Sequence, residues 1–223
     1  LLNKCNLGIN QIVLKSFING IKIINRYKKD TFVEIKMNKN NTQLTVFYES
    51  AFCFFQKFNF GSDIILKDIA KVCSLPISTV HKIIQETELK LLDKNAHVDK
   101  KYFDNSNFRK ISLNHLIEIS SARIEEILNI IYNQNKNIES FKDKKISVYF
   151  EFEDKNIIYK FKDIFENYFH NQILYTEQSS DGDPFNTIKI FGDLLSKGWA
   201  KEAIPVTNKK KSLISRIFSG LFE

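Results

Sequence analysis

The chain has 223 residues, 43% of them hydrophobic and 20 of them Phe, which is ample material for one large domain or two small ones. No apolar run approaches the roughly 18 residues that a membrane-spanning helix needs, and the first residues lack the charged, apolar, then small pattern of a secretory signal. The net charge of +7 favours an acidic partner, nucleic acid or an anionic membrane surface, although a composition rich in Lys, Asn and Ile raises the charge without any partner. Cys5, Cys53 and Cys73 lie far apart and form no CxxC pair, which fits a reducing cytoplasm with buried thiols. The opening residue is Leu1 and not Met, which reads as a processed chain or a fragment.

Residues 3–29 read as a helix, or a helix with a strand, on Ile9, Ile12, Val13, Phe17, Ile18, Ile21 and Ile24. Residues 32–60 change period. Three short β-branched and aromatic runs are separated by polar turns at 38–41 and 49–50, which predicts a β-meander. Helical spacing returns at Ile64, Ile65, Ile69 and Val72, breaks at Ser74-Leu75-Pro76, and resumes over 78–91. Residues 93–110 are polar and read as loop. A long amphipathic helix is expected over 112–132, a strand over 146–152, a helix over 157–168 and a short strand over 173–175. A polar loop over 177–183 leads to a helix over 185–197. No internal repeat is present, and the whole is a mixed α/β chain.

The last fifteen residues have a pattern of their own. On a helix, Leu213, Ile214, Ile217, Phe218, Leu221 and Phe222 fall on one half of the wheel, with Ser212, Ser215, Arg216, Ser219, Gly220 and Glu223 on the other. Lys209, Lys210 and Lys211 cluster at its entry, and Thr207-Asn208 reads as a hinge before them. This is the pattern of a helix lying in a membrane interface with its apolar face among the acyl chains. A terminal helix docked on the protein's own core is the alternative.

Residues 64–84 fit a second pattern, the DNA-binding helix-turn-helix. Ala70 suits the close helix crossing, Leu75, Val80 and Ile83 fall at packing positions, and Ser78 and Thr79 open the second helix. The turn position usually held by Gly is Ser74, at a place that calls for a left-handed residue. Only His81, Lys82 and Gln85 are base-reading types on that helix.

No GxSxG, P-loop or dinucleotide fingerprint occurs. His81, His97, His115 and His170 show no metal-ligand spacing and read as surface or satisfied histidines. The acidic pairs Glu125-Glu126, Glu151/Glu153 and Asp181/Asp183 read as helix-face solvation and loop capping rather than acid–base or calcium groups. Phe52, Phe54, Phe55, Phe58 and Phe60 read as strand core rather than a platform for single-stranded nucleic acid. Trp199 is placed to pack where the body meets the tail, or to touch an interface.

The order of these features resembles the second half of the bacterial actin-like division proteins of the FtsA family. Residues 5–24 resemble the return from that family's inserted subdomain to its first core subdomain, and the meander 32–58 resembles its second phosphate-loop sheet. Phe60-Gly61-Ser62-Asp63 and the Asp68-Ile69-Ala70 that follows resemble its glycine turn and next helix. Leu75-Pro76-Ile77 resembles its Leu-Pro-hydrophobic step, and Leu116-Ile117 through Ile127 its outer-subdomain helix. The resemblance implies an actin-like (ribonuclease H-like) α/β fold. Residues 1–30 would end the first subdomain, 31–85 and 146–200 would form the second core subdomain, and 86–145 an outer inserted subdomain. A linker at 201–212 and a membrane helix at 213–223 would follow.

The same resemblance implies a non-enzymatic adaptor that tethers filaments of the tubulin-like protein FtsZ to the cytoplasmic face of the inner membrane at the division site. It would bind FtsZ through 86–145 and anionic lipid through the tail, and it would self-associate. An actin-like assembly protein of the PilM kind is a further relative, against which the lipid-binding tail speaks. The family binds ATP, but its glycine-bearing phosphate turn is here Glu34-Ile35-Lys36-Met37-Asn38-Lys39, and its glycine-rich adenine turn is Val148-Tyr149-Phe150-Glu151-Phe152-Glu153. Side chains there obstruct the approach of backbone N–H groups to phosphate, so no bound ATP is expected.

Overall fold

In the computed structural model, the described residues are 12–87, 96–103, 108–142, 146–153, 155–169, 173–175 and 184–199. Helix α1 (Lys15–Tyr27) leads into strands β1 (Phe32–Met37), β2 (Thr42–Tyr48) and β3 (Ala51–Phe58). Helices α2 (Asp63–Val72), α3 (Ile77–Glu86), α4 (Leu113–Leu128) and the short α5 (Glu139–Lys142) come next. Strand β4 (Ser147–Phe152), α6 (Lys155–Tyr168), β5 (Ile173–Tyr175) and α7 (Pro184–Lys197) complete the order. The five strands form one sheet in the order β3-β2-β1-β4-β5. β1, β2 and β3 pair antiparallel as the expected meander, while β1–β4 and β4–β5 are parallel.

Alternation along each strand divides the sheet into two faces. Val33, Ile35, Met37, Leu44, Val46, Val148, Phe150 and Phe152 point to one, where α2, α3, α4 and α6 cover them. Ile65, Leu66 and Ile69 of α2, Ile83 and Ile84 of α3, Ile124 and Leu128 of α4, and Phe161 and Phe165 of α6 complete that cluster. Ile138 and Phe141, also from the stretch that the resemblance assigns to an outer subdomain, belong to the same cluster. On the other face Phe32, Phe47 and Tyr149 pack with Ile23 of α1, and Phe17 and Tyr27 close the edge. Gly20 lets α1 approach: a Cβ there would lie 2.0 Å from the Phe47 ring. α7 lies against α1, where Lys22 Nζ donates to Thr187 Oγ1 at 3.0 Å.

The turns explain several boundaries. The two-residue hairpin between β2 and β3 holds Glu49 (φ 48°) and Ser50 (φ 67°) in left-handed conformations, the geometry that matches strand twist. It is propped from outside, with Ser50 N–H donating to Asp30 O at 2.7 Å and Trp199 Nε1 donating to Ser50 O at 2.9 Å. Helix α2 ends in a Schellman motif: Leu75 N–H donates to Ala70 O (2.8 Å), Ser74 N–H donates to Lys71 O (3.3 Å), and Ser74 has φ 51°.

Three boundaries differ from the sequence reading. The helix expected over 78–91 stops at Glu86, because Thr87 adopts extended backbone. The helix expected over 112–132 is α-helical to Leu128 and continues as one π turn, Asn129–Asn133. The stretch read as loop over 93–110 contains a 3-10 turn, Lys100–Phe103, that buries Phe103. A bridge between His97 and Ser112 closes the segment that holds this turn. The loop expected over 177–183 lies outside the described residues.

Candidate functional site

In open sheets with parallel strands, ligands sit beyond the carboxyl ends of those strands. Here that place is the end of β1 and β4, where Met37 pairs with Phe152. The stretches matched by resemblance to a phosphate turn and an adenine turn therefore meet side by side. Chain 38–41 turns back tightly, with Asn38 N–H donating to Asn41 O at 2.8 Å and Asn38 Nδ2 donating to Asn41 Oδ1 at 2.9 Å. The opening of α2 presses on it from one side. Ser62 and Asp63 N–H groups donate to the carbonyls of Asn38 and Lys39 at 3.0 and 2.9 Å. Gly61 is required by this closeness, since a Cβ would lie 2.0 Å from Asn38 O and 2.6 Å from Lys39 O.

Glu153 closes the other side. Its N–H donates to Met37 O at 3.0 Å, and its Oε2 accepts the Lys39 N–H at 2.9 Å. One step back along both strands, Lys36 Nζ lies 2.6 Å from Glu151 Oε1, and both side chains are largely buried. Glu34 and Thr45 are buried on the same α1 face. Tyr149 lies there too, and among the described residues its hydroxyl has no hydrogen-bond partner. Burial, and then the neighbouring Tyr27, push the Tyr149 phenol up from its ordinary value.

The family resemblance implies a nucleotide here, and the residues do not fit its phosphates. A phosphate-binding turn needs unshielded N–H groups on backbone that side chains do not crowd. This turn has no glycine, its Lys39 N–H is taken by the protein's own carboxylate, and its carbonyls are capped by α2. The sequence reading assigned Glu153 to loop capping, which the geometry confirms. It missed Glu151 as the partner of Lys36, because the two are 115 residues apart and only the β1–β4 register joins them.

The residues assigned to membrane binding, Lys209, Lys210, Lys211, Leu213, Ile214, Arg216, Ile217, Phe218, Leu221 and Phe222, all lie outside the described residues. The helix-turn-helix pair is α2 and α3. Val80 and Ile83 turn into the core as expected, Ser74 is left-handed, and Ser78, Lys82 and Gln85 face solvent. Asp68 of α2 is paired with Arg123 of α4, and Arg123 also holds Glu126 at 2.6 Å. His115 lies 3.6 Å from Glu118 at the surface. Among the described residues no three His, Cys, Asp or Glu side chains gather as a metal-holding group. Phe54, Phe58 and Phe60 join the larger core from β3 and its exit, while Phe55 is 37% exposed. Trp199 meets Phe17 of α1 edge-on at 5.8 Å.

No family model matches the sequence, and no curated protein matches it. Solved structures do match. MreB5 of Spiroplasma citri bound to AMPPNP aligns with a TM-score of 0.54 at 11% identity, covering 87% of this chain and 62% of that one. The fold is actin-like. MreB5 bound to ADP gives 0.55, again at 11% identity, over 87% and 63% of the two chains. The ethanolamine utilization protein EutJ from Carboxydothermus hydrogenoformans aligns at 0.48 with 10% identity, over 78% of this chain and 52% of its own. The chain thus spans between about half and just under two thirds of the length of these proteins. At such identities the likeness concerns the fold alone. It accounts for the strands before α2 and for the burial of α2 and α3 on the sheet.

Proposed function

We propose that this chain is a membrane adaptor of the FtsA kind, tethering FtsZ filaments to the cytoplasmic face of the inner membrane, and that it works without ATP and without catalysis. The carrying observation is an actin-like body followed in sequence by a basic, amphipathic tail. The crowded turn at 38–41 supports the non-nucleotide part, because its Asn38 and Lys39 N–H groups are engaged within the protein.

The magnitudes describe a weak anchor. Each fully buried large apolar side chain contributes roughly 1.5–3 kcal/mol, and interfacial burial is only partial. Each basic residue near an anionic surface adds about 1 kcal/mol. Ordering so short a helix opposes both. A single tail therefore binds reversibly, and self-association that presents several tails together makes the attachment firm.

The test is reconstitution on a supported bilayer containing anionic lipid. The full chain recruits polymerised FtsZ to the bilayer, and a chain ending at Thr207 does not. Equal recruitment by both chains, or none by either, rejects the adaptor reading. A DNA-binding regulator that uses residues 64–84 would instead bind duplex DNA equally well with and without the tail.

A further inference from the structure

The stretch between α3 and α4 is closed at its base. Val98 N–H donates to Ile111 O at 2.8 Å and Leu113 N–H donates to Ala96 O at 2.9 Å, around the His97–Ser112 bridge. Two arms therefore leave the body side by side, as in a compact surface loop. Val98, Phe103 and Ile111 turn inward and belong to the larger core. What the arms turn outward is basic. Lys100, Lys101, Arg109 and Lys110 are all exposed, against the one acid, Asp99, among the loop's described residues. Lys101 is partly engaged, with its Nζ 3.7 Å from Glu86 Oε2 and 4.9 Å from the centre of the Tyr102 ring. Among the described residues Lys100, Arg109 and Lys110 have no acidic partner. Phe108 stands directly before Arg109. Its ring meets Phe103 edge-on at 5.4 Å, which ties one arm to the other, yet 49% of the residue stays exposed.

We propose that this patch is a second membrane contact, carried by the folded body. Lys100, Arg109 and Lys110 would meet anionic headgroups, and the Phe108 ring would enter the interface between them. Charge complementarity selects an acidic partner. The ring then selects among acidic partners. Nucleic-acid phosphate or an acidic protein segment is met by cations alone, whereas an anionic bilayer offers charge and apolar depth in one surface. A single exposed Phe is ordinary; here it stands beside unpaired cations on both arms of a loop whose core side chains point the other way.

The contact goes beyond the tail anchor and rests on the adaptor reading only for what brings the body to the surface. Each cation close to an anionic surface contributes roughly fivefold in affinity. The patch by itself is therefore too weak to carry a chain ending at Thr207 onto vesicles. Once a tail is inserted, the body's contact gains from the effective concentration of a linked site. The consequence is orientation, because a second point of contact fixes which side of the body faces the membrane.

The experiment compares the full chain with two variants, Arg109→Gln with Lys110→Gln, and Phe108→Ala, on phosphatidylcholine vesicles with and without phosphatidylglycerol. The charge variant alters only exposed, unpaired side chains and so keeps the fold even where Phe108→Ala does not. On the anionic vesicles it should bind about ten- to thirtyfold more weakly than the unaltered chain, and Phe108→Ala about threefold more weakly. Amide hydrogen exchange over 108–111 in the unaltered chain should slow on the anionic vesicles only. Unchanged affinity in both variants overturns the contact, and so does unchanged exchange. Full vesicle affinity in the charge variant, with loss of binding to polyglutamate or to duplex DNA, assigns the patch to an acidic segment or to nucleic acid and likewise overturns it. The tail is separated by a chain ending at Thr207 with a C-terminal His tag, held on vesicles that contain a nickel-chelating lipid. Slowed exchange over 108–111 there, dependent on phosphatidylglycerol, with no vesicle binding by the untagged full chain, would defeat the tail anchor while leaving the body contact standing. Exchange indifferent to phosphatidylglycerol in the tethered chain overturns the body contact whatever the tail does.

Discussion

The two faces of the sheet are built differently. The four-helix face is apolar from end to end: Val33, Ile35 and Met37 on β1 continue into Val148, Phe150 and Phe152 on β4. The α1 face is apolar only at one end. Phe32, Phe47 and Tyr149 pack at the amino end of β1, and Glu34, Lys36 and Glu151 follow toward its carboxyl end. Burying charge costs free energy that burying Val or Phe does not, unless the charge is paired. The charged end is also the end where the 38–41 turn is clamped. One face is therefore apolar throughout, while the other ends in paired charges beside a turn that the chain's own groups clamp.

Substitutions can break or sharpen this division. Phe150→Ala removes a ring packed against Phe152, Phe165 and Phe169. It should cost about 3–5 kcal/mol in urea unfolding, and a loss below about 1 kcal/mol would remove the four-helix face from its role. Lys36→Met leaves the Glu151 carboxylate buried without that lysine, at a cost of about 3 kcal/mol. Replacing both, as Lys36→Met with Glu151→Leu, should recover most of the loss, and failure to recover would mean that the pair does more than hold itself. Gly20→Ala forces the Phe47 ring to move and should cost about 1–3 kcal/mol. Ser74→Gly relieves a left-handed serine and should raise stability by about 1 kcal/mol.

Alkaline pH gives the smallest and broadest effect. Tyr168 is pushed up to about 12 by burial, then Glu125 and Tyr132, and burial also raises Tyr149 and Tyr132. Phenols raised in the fold hold their protons where the unfolded chain releases them. Their contribution is therefore complete below about pH 10 and declines toward pH 12. The melting temperature should fall across that window, and a flat profile would contradict the burial of these hydroxyls.

Much of this was legible in the sequence. The meander could be read from period-two runs and polar turns, because strands alternate and hairpins need particular residues. The left-handed residue needed at Ser74 was visible from its place between two helical periods. The helix over 78–91 was drawn too long because apolar residues continue at Leu89 and Leu91, while the backbone turns extended at Thr87, which periodicity does not report. The Lys36–Glu151 pair and the Lys39–Glu153 clamp join residues more than a hundred positions apart, and only the β1–β4 register brings them together.

Co-sedimentation with anionic vesicles tests the membrane adaptor most directly. The full chain should pellet with vesicles containing anionic lipid, and a chain ending at Thr207 should remain in solution. Release by high salt would confirm the part played by Lys209, Lys210 and Lys211. If the two chains stay in solution together even when forced into oligomers, the tail is no anchor and the adaptor reading is wrong.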